Sequence, residues 1–407
     1  MRLTANRRIA FSASRRLARP EWPAEENERV YGAGRERTWG SGENYQAFFV
    51  FGGEPDPDTG MLVNLTDVKR CLATFVDTRY DHAFLNLDVP PFDHLPPTPE
   101  ELAVQLLAEA RVACGALPAR PVACHLAESG STGATAYADG RVESVFTMEF
   151  SAARRTFSPH LSEAENAALF GRAASPAGHG HGYHLQITLA GAVDRALGLI
   201  VPNVLVAGAL ASLHELLDHR NLNVEVPALA GQPMTTECLA RFVFERLAAD
   251  LPLARVRLHE NPRLFAEHDT TRTSLGMTSE FSAAHCLRNP RFSDAENRRI
   301  FGKCANPNGH GHRYRVEATV TGDIDSRSGI VAGLSVLQGA LEAAVAPWDR
   351  RHLDRETDDF RDRLSTGENI VLALWPRLDD GLGGRLGRVR LAETENNRFT
   401  LRRGGPA

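Results

Sequence analysis

The feature that most constrains this chain of 407 residues is that its sequence states one pattern three times, in one order. Such repeats mean that one supersecondary unit is built several times and that neighbouring units bury a shared core. The first marker is Phe-Ser-Ala at Phe11, Phe150 and Phe281, followed each time by a Glu-Asn pair: Glu26-Asn27, Glu165-Asn166 and Glu296-Asn297. A second runs from Gly40 to Tyr45, from Gly178 to Tyr183 and from Gly309 to Tyr314. The third is Asp81-His82, Asp218-His219 and Asp349-Arg350, and the fourth pairs Thr98 with Glu100, Thr235 with Glu237 and Thr366 with Glu368. Each unit closes on a strand-like run ending in Glu128, Glu260 or Glu393, which divides the chain into units of 1–140, 141–272 and 273–407.

Periodicity gives the elements of a unit. In the third, Tyr314, Val316, Ala318 and Val320 alternate with Arg313, Arg315, Glu317 and Thr319, the pattern of a half-buried strand. Leu334, Leu337, Leu341 and Val345 fall at helical spacing and stop before Pro347. Thr366 can cap a second helix, and a last strand turns Val389 and Leu391 inward. The order strand, strand, helix, helix, strand, strand predicts an α+β fold: an antiparallel sheet with helices on one face. A single unit would leave sheet edges unpaired, so three fused units are expected to pair edges in a ring and close one barrel with the helices outside.

Composition excludes several classes. The net charge is -5 with Lys and Arg scattered among Asp and Glu, so no nucleic-acid partner is expected. Met1 to Pro20 lacks the apolar core of a secretory signal, and the most apolar stretch, Gly198 to Leu217, is broken by Pro202, Asn203 and Gly208 and reads as strand plus helix rather than a membrane span. Six cysteines without framework spacing fit free thiols in a reducing compartment, so a cytoplasmic protein without a membrane partner is expected.

The third unit concentrates chemistry. His310 and His312 lie two apart on a strand and share a face, and His285 has the phase of Phe281 and Ala283 on the strand before. Three imidazoles with an open fourth position are the ligand set of a catalytic zinc. Cys304 sits in the loop just before them, where a metal cation and Lys303 would lower its pKa and suit it to remove a proton from carbon; a buried inert thiol is the plain alternative. Cys286 is out of phase with the ligands and reads as structural. Glu393, in phase with Val389 and Leu391, could accept two N–H groups from a guanidine-like edge such as a pterin ring, or cap a turn.

Phe281 to His285, Phe301 to His312 and Glu393 to Asn397 resemble the signatures of the 6-pyruvoyltetrahydropterin synthase family. A related family, 6-carboxytetrahydropterin synthase of the queuosine pathway, usually has a shorter loop between its Cys and His-Gly-His. The resemblance implies the tunnelling fold, in which three subunits form a barrel and two barrels stack, so that two of these fused rings would pair. It implies a small-molecule substrate, 7,8-dihydroneopterin triphosphate, and loss of triphosphate with rearrangement of the side chain. By that likeness zinc binds the side-chain hydroxyls, Cys304 abstracts the proton, Glu393 anchors the pterin, and Thr366 and Glu368 lie near the ring. An Asp–His pair from a neighbouring subunit supports proton transfer in the family.

Here the third unit breaks its own pair with Arg350, and His352 is out of register. The first two units keep Asp81-His82 and Asp218-His219 but have lost metal chemistry: Ser41 and Glu43 replace two ligands in the first, and Arg154 and Ala173 replace the third ligand and the cysteine in the second. The losses are complementary. They predict one complete site per chain, with Asp218-His219 slightly preferred as the neighbour's contribution. The carboxy-type product and a non-catalytic pterin-binding scaffold are the competing readings.

Overall fold

The computed structural model describes residues 1–128, 130 and 132–404. Twelve strands account for the barrel: β1 (Arg2–Arg15), β2 (Ser41–Gly52), β3 (Pro121–Ala127), β4 (Thr132–Tyr137), β5 (Val142–Arg154), β6 (His179–Gly191), β7 (Leu253–His259), β8 (Leu264–Asp269), β9 (Thr273–His285), β10 (His310–Gly322), β11 (Leu386–Ala392) and β12 (Asn397–Arg402). Each pairs antiparallel with the next, and β12 returns to β1 through Arg2↔Arg402 to Arg7↔Asn397, so the sheet closes and, among the described residues, leaves no free long edge. The fold is the expected α+β ring. Tyr314, Val316, Ala318 and Val320 are all fully buried under the helices. The alternate residues of the same strand, among them Glu317 and Thr319, face the barrel interior instead of bulk solvent.

The two longer helices of the third unit, Leu334–Val345 and Gly367–Gly381, lie where the spacing put them, although Leu334 is itself exposed. Thr366 caps the second by accepting from the Asn369 N–H. The segment 198–202 departs from expectation: it forms a loop before the helix Asn203–Leu217, not a strand. Among the described residues no helix is long and apolar enough to cross a membrane, and all six cysteines are free.

The repeated markers acquire physical reasons. Phe11, Phe150 and Phe281 stack on Tyr45, Tyr183 and Tyr314 across the first hairpin of each unit, with ring centroids 4.9 Å apart in all three. The Glu-Asn pairs lie on a short helix between those strands, at Ala24–Tyr31, Glu163–Phe170 and Asp294–Phe301, which periodicity alone did not reveal. In the last two, Ser162 with Glu165 and Ser293 with Glu296 form capping boxes. The asparagine that follows is buried and ties the preceding loop to the helix start, as Asn297 does through Asn289, Phe292 and Ser293.

A cyclic clasp joins the units. Thr98, Thr235 and Thr366 donate to the carbonyls of Gly198, Gly329 and Gly60, each in a loop of a different unit. Glu237 and Glu368 accept the backbone N–H of Val331 and Leu62 from the same loops. The glycine is required: Gly60 has φ of 68°, and a Cβ there would lie 2.6 Å from the Asn369 amide.

Burial pushes the carboxyls of Glu100, Glu237 and Glu368 up to about 7 from 4.5. Between those values the folded chain keeps a proton that the unfolded chain releases. The stability these groups contribute is therefore complete below about pH 4.5 and lost as pH rises through about 7, at roughly 3 kcal/mol per group. Glu237→Gln keeps an acceptor for Val331 and should flatten the fall of the urea midpoint over that range; an unchanged slope would reject the assignment.

Candidate metal centre and its two altered copies

His285 ends β9 with no exposed surface, and its Nδ1–H donates to the Ser365 carbonyl at 3.0 Å. That bond fixes the tautomer and leaves Nε2 bare towards the site. His310 and His312 open β10 on the face they share with Tyr314, and the Nε2 atoms of His285 and His310 are 3.0 Å apart. One nitrogen from each of the three histidines lies within 4.8 Å of the others. Burial and the neighbouring imidazoles push His310 down to about 4, so it is neutral at physiological pH. Neutral, converging imidazoles are the donor set that zinc takes, and the residues fit such an ion.

Glu393 stands beside this cluster, its Oε1 3.8 Å from His285 Nε2 and 3.9 Å from His312 Nε2, and it also accepts from the Asn397 amide. Cys304 lies in the turn Gly302–Ala305, which is tied to the site by the Leu287 N–H donating to the Cys304 carbonyl. Its side chain packs against the buried cluster of Leu287, Phe301 and Ala305, on which Met61 and Leu364 also pack. The expected lowering by Lys303 is absent from the protein alone: Lys303 is exposed, and burial, with Glu393 and Cys286, pushes the thiol up. Cys286 donates to the Asn306 carbonyl, in keeping with a structural role.

Thr366 and Glu368 are committed to the clasp on Gly60 and Leu62. Met61, between them, packs in the cluster that holds Cys304, and Asn64 donates to Ile300, so the unit abutting the third site is the first. The signal was present in sequence as Asp56 to Gly60, Asp194 to Gly198 and Asp325 to Gly329, but its partners are 306, 100 and 94 residues away.

The Asp of the third marker is an anchor. Asp81, Asp218 and Asp349 accept the N–H of Ser12, Ser151 and Ser282, and the next residue takes the left-handed conformation, with φ of 61°, 55° and 59° at His82, His219 and Arg350. His82 and His219 bond their own aspartates, and their side chains are 85% and 83% exposed. Among the described residues neither contacts the histidine cluster. His352 does come close: a Cβ on Gly309 would lie 2.7 Å from its Nε2, and both its ring nitrogens are buried without a hydrogen-bond partner, with Asp354 3.9 Å from Nδ1.

In the other two units arginine occupies the place of His285. Arg15 pairs with Glu128, and Arg154 pairs with Glu260 while donating to Thr236 at 2.9 Å. Both arginines are buried. In the second unit His179, His181 and Glu260 still converge, with His181 Nε2 3.0 Å from Glu260, but a guanidinium already neutralises the carboxylate. Glu128 and Glu260 are thus held by internal partners, which sequence reasoning missed because Arg154 read as a lost ligand and not as a replacement, and Arg15 was not singled out.

The family profile described as 6-pyruvoyl tetrahydropterin synthase matches residues 4–138, 144–271 and 274–404. Similar proteins include the 6-pyruvoyl tetrahydrobiopterin synthases of Pongo abelii, 45% identical over 119 residues, and of Homo sapiens, 44% identical over the same length; each alignment covers 29% of this chain and 82% of the relative. The solved Caenorhabditis elegans 6-pyruvoyl tetrahydropterin synthase is 34% identical, with 33% of this chain and 96% of that one covered and a TM-score of 0.32.

Proposed function

This chain belongs to the 6-pyruvoyl tetrahydropterin synthase family, and from that premise we propose that its third unit is a zinc-dependent lyase acting on 7,8-dihydroneopterin triphosphate. The observation that carries this reading is the convergence of His285, His310 and His312 beside Glu393 and the Cys304 turn in one unit of three. A zinc ion held by the three imidazoles would polarise a side-chain oxygen of the substrate. Cys304 takes the proton from the side-chain carbon as triphosphate leaves. Glu393 accepts N–H groups of the pterin edge, and packing against Leu287, Phe301 and Ala305 leaves the thiol only partly open to water.

The first two units hold no metal site of their own, a reading supported by the buried Arg15–Glu128 and Arg154–Glu260 pairs. The exposed Asp81-His82 and Asp218-His219 loops are the groups a second copy of the chain would offer to a third-unit site, so the working form is a pair of fused rings. Light scattering should give twice the chain mass.

Protein purified without added zinc should carry one zinc per chain, and His310→Ala should remove it; a variant with full zinc content rejects the ligand set. Incubation with 7,8-dihydroneopterin triphosphate tests the reaction: triphosphate release with a 6-pyruvoyl product by mass supports it. Acetaldehyde release would assign the carboxy-type reaction, and no turnover would leave a pterin-binding protein.

A further inference from the structure

We propose that the interior of the barrel is a binding site for a small linear oligophosphate, separate from the histidine cluster. The interior holds a cavity of about 400 Å³ whose walls carry eight arginines against two glutamates. Glu267, one of those two, and Glu317 on the same interior face are already committed: Arg257 reaches them at 2.8 and 2.7 Å, and Arg388 reaches both at 3.0 Å. That set of two arginines and two glutamates is neutral by itself. Of the remaining six, Arg403 pairs with Asp379, and the others are loosely paired or have no carboxylate partner among the described residues. Arg390 is 3.8 Å from Glu317 and Arg255 3.7 Å from Glu143, while among the described residues no carboxylate lies within 4 Å of Arg2, Arg398 or Arg402.

Their arrangement is unfavourable without a counter-charge. Arg388 stands directly opposite Arg402, and Arg402 directly opposite Arg2, so three guanidiniums line up across β11, β12 and β1. Like charges at opposed positions destabilise a sheet. The field is felt nearby: burial, then Arg390, Arg398 and Arg255, push His125 down to about 4.

The pattern selects the ligand. Guanidinium forks match phosphate oxygens, two bonds at a time. Arg390 lies on the level next to that of the opposed three, about 7 Å away along a strand, and Arg398 on the level after that. A chain of two or three phosphates reaches two levels, whereas orthophosphate reaches one. The site is independent of the proposed catalysis, because His310 and His312 share the helix-side face of β10 and Glu317 points to the opposite, interior face.

Titration calorimetry of the full chain with sodium tripolyphosphate is the test. One site per chain is expected, with orthophosphate at least tenfold weaker. Arg2→Gln with Arg402→Gln should weaken tripolyphosphate at least tenfold; Arg402 is exposed, so folding should survive, and Arg390→Gln, on the neighbouring level, should do the same. His310→Ala should leave this binding unchanged. ATP binding as tightly as tripolyphosphate would identify a nucleotide tail as the occupant, and weaker ATP binding a free oligophosphate. No binding, or binding that ignores the interior variants and vanishes with His310→Ala, overturns the proposal.

Discussion

Cys304→Ala is expected to lower the rate of triphosphate release by roughly 10²–10⁴ while leaving the zinc content of the protein unchanged, the loss typical of a removed general base. The geometry separates the two readouts. Cys304 is not among the three converging histidines, so its loss takes no ligand from that set. Its backbone carbonyl, which alanine retains, holds the turn to Leu287, and its side chain sits among apolar neighbours that tolerate a methyl group. Initial rates with metal analysis on the same preparation decide it. Full turnover would remove Cys304 from the chemistry, whereas lost zinc would mean that the thiol helps hold the ion.

How much of this was legible beforehand depends on the range of the interactions. The histidine set could be read because each strand fixes its side-chain phase locally: His310 and His312 are two apart, and His285 has the phase of Phe281. Ring closure could be read because three edge-bearing units in one chain have few other ways to satisfy their backbone. The clasp could not, since Thr366 meets Gly60 and Glu368 meets Leu62 across 306 residues each. Thr366 and Glu368, placed near a ring by family likeness, turn out to grip a loop of the first unit. The half-buried pattern of the strand at Glu317 left open where its polar face lies, because alternation does not distinguish bulk water from a closed interior.

Arg154→Ala should destabilise the chain by about 3–5 kcal/mol, because it leaves Glu260 buried without its cation. Although burial opposes ionisation, Arg154, His181 and Thr236 hold the Glu260 carboxyl down to about 2. Its stabilising contribution is therefore present above about pH 4.5 and lost as pH falls towards 2. Arg154→Ala with Glu260→Gln removes charge and partner together and should recover much of the loss in urea unfolding at neutral pH. Arg154→His is the more informative change. It puts an imidazole at the position of His285 in a unit that keeps His179 and His181, and it frees Glu260 from the guanidinium. Zinc should then rise from one to two per chain and restore part of the lost stability, since a ligand that binds only the folded state stabilises it. If zinc stays at one, the second unit lacks more than its third ligand, and the reading of Arg154 as a fixed substitute for the ion fails.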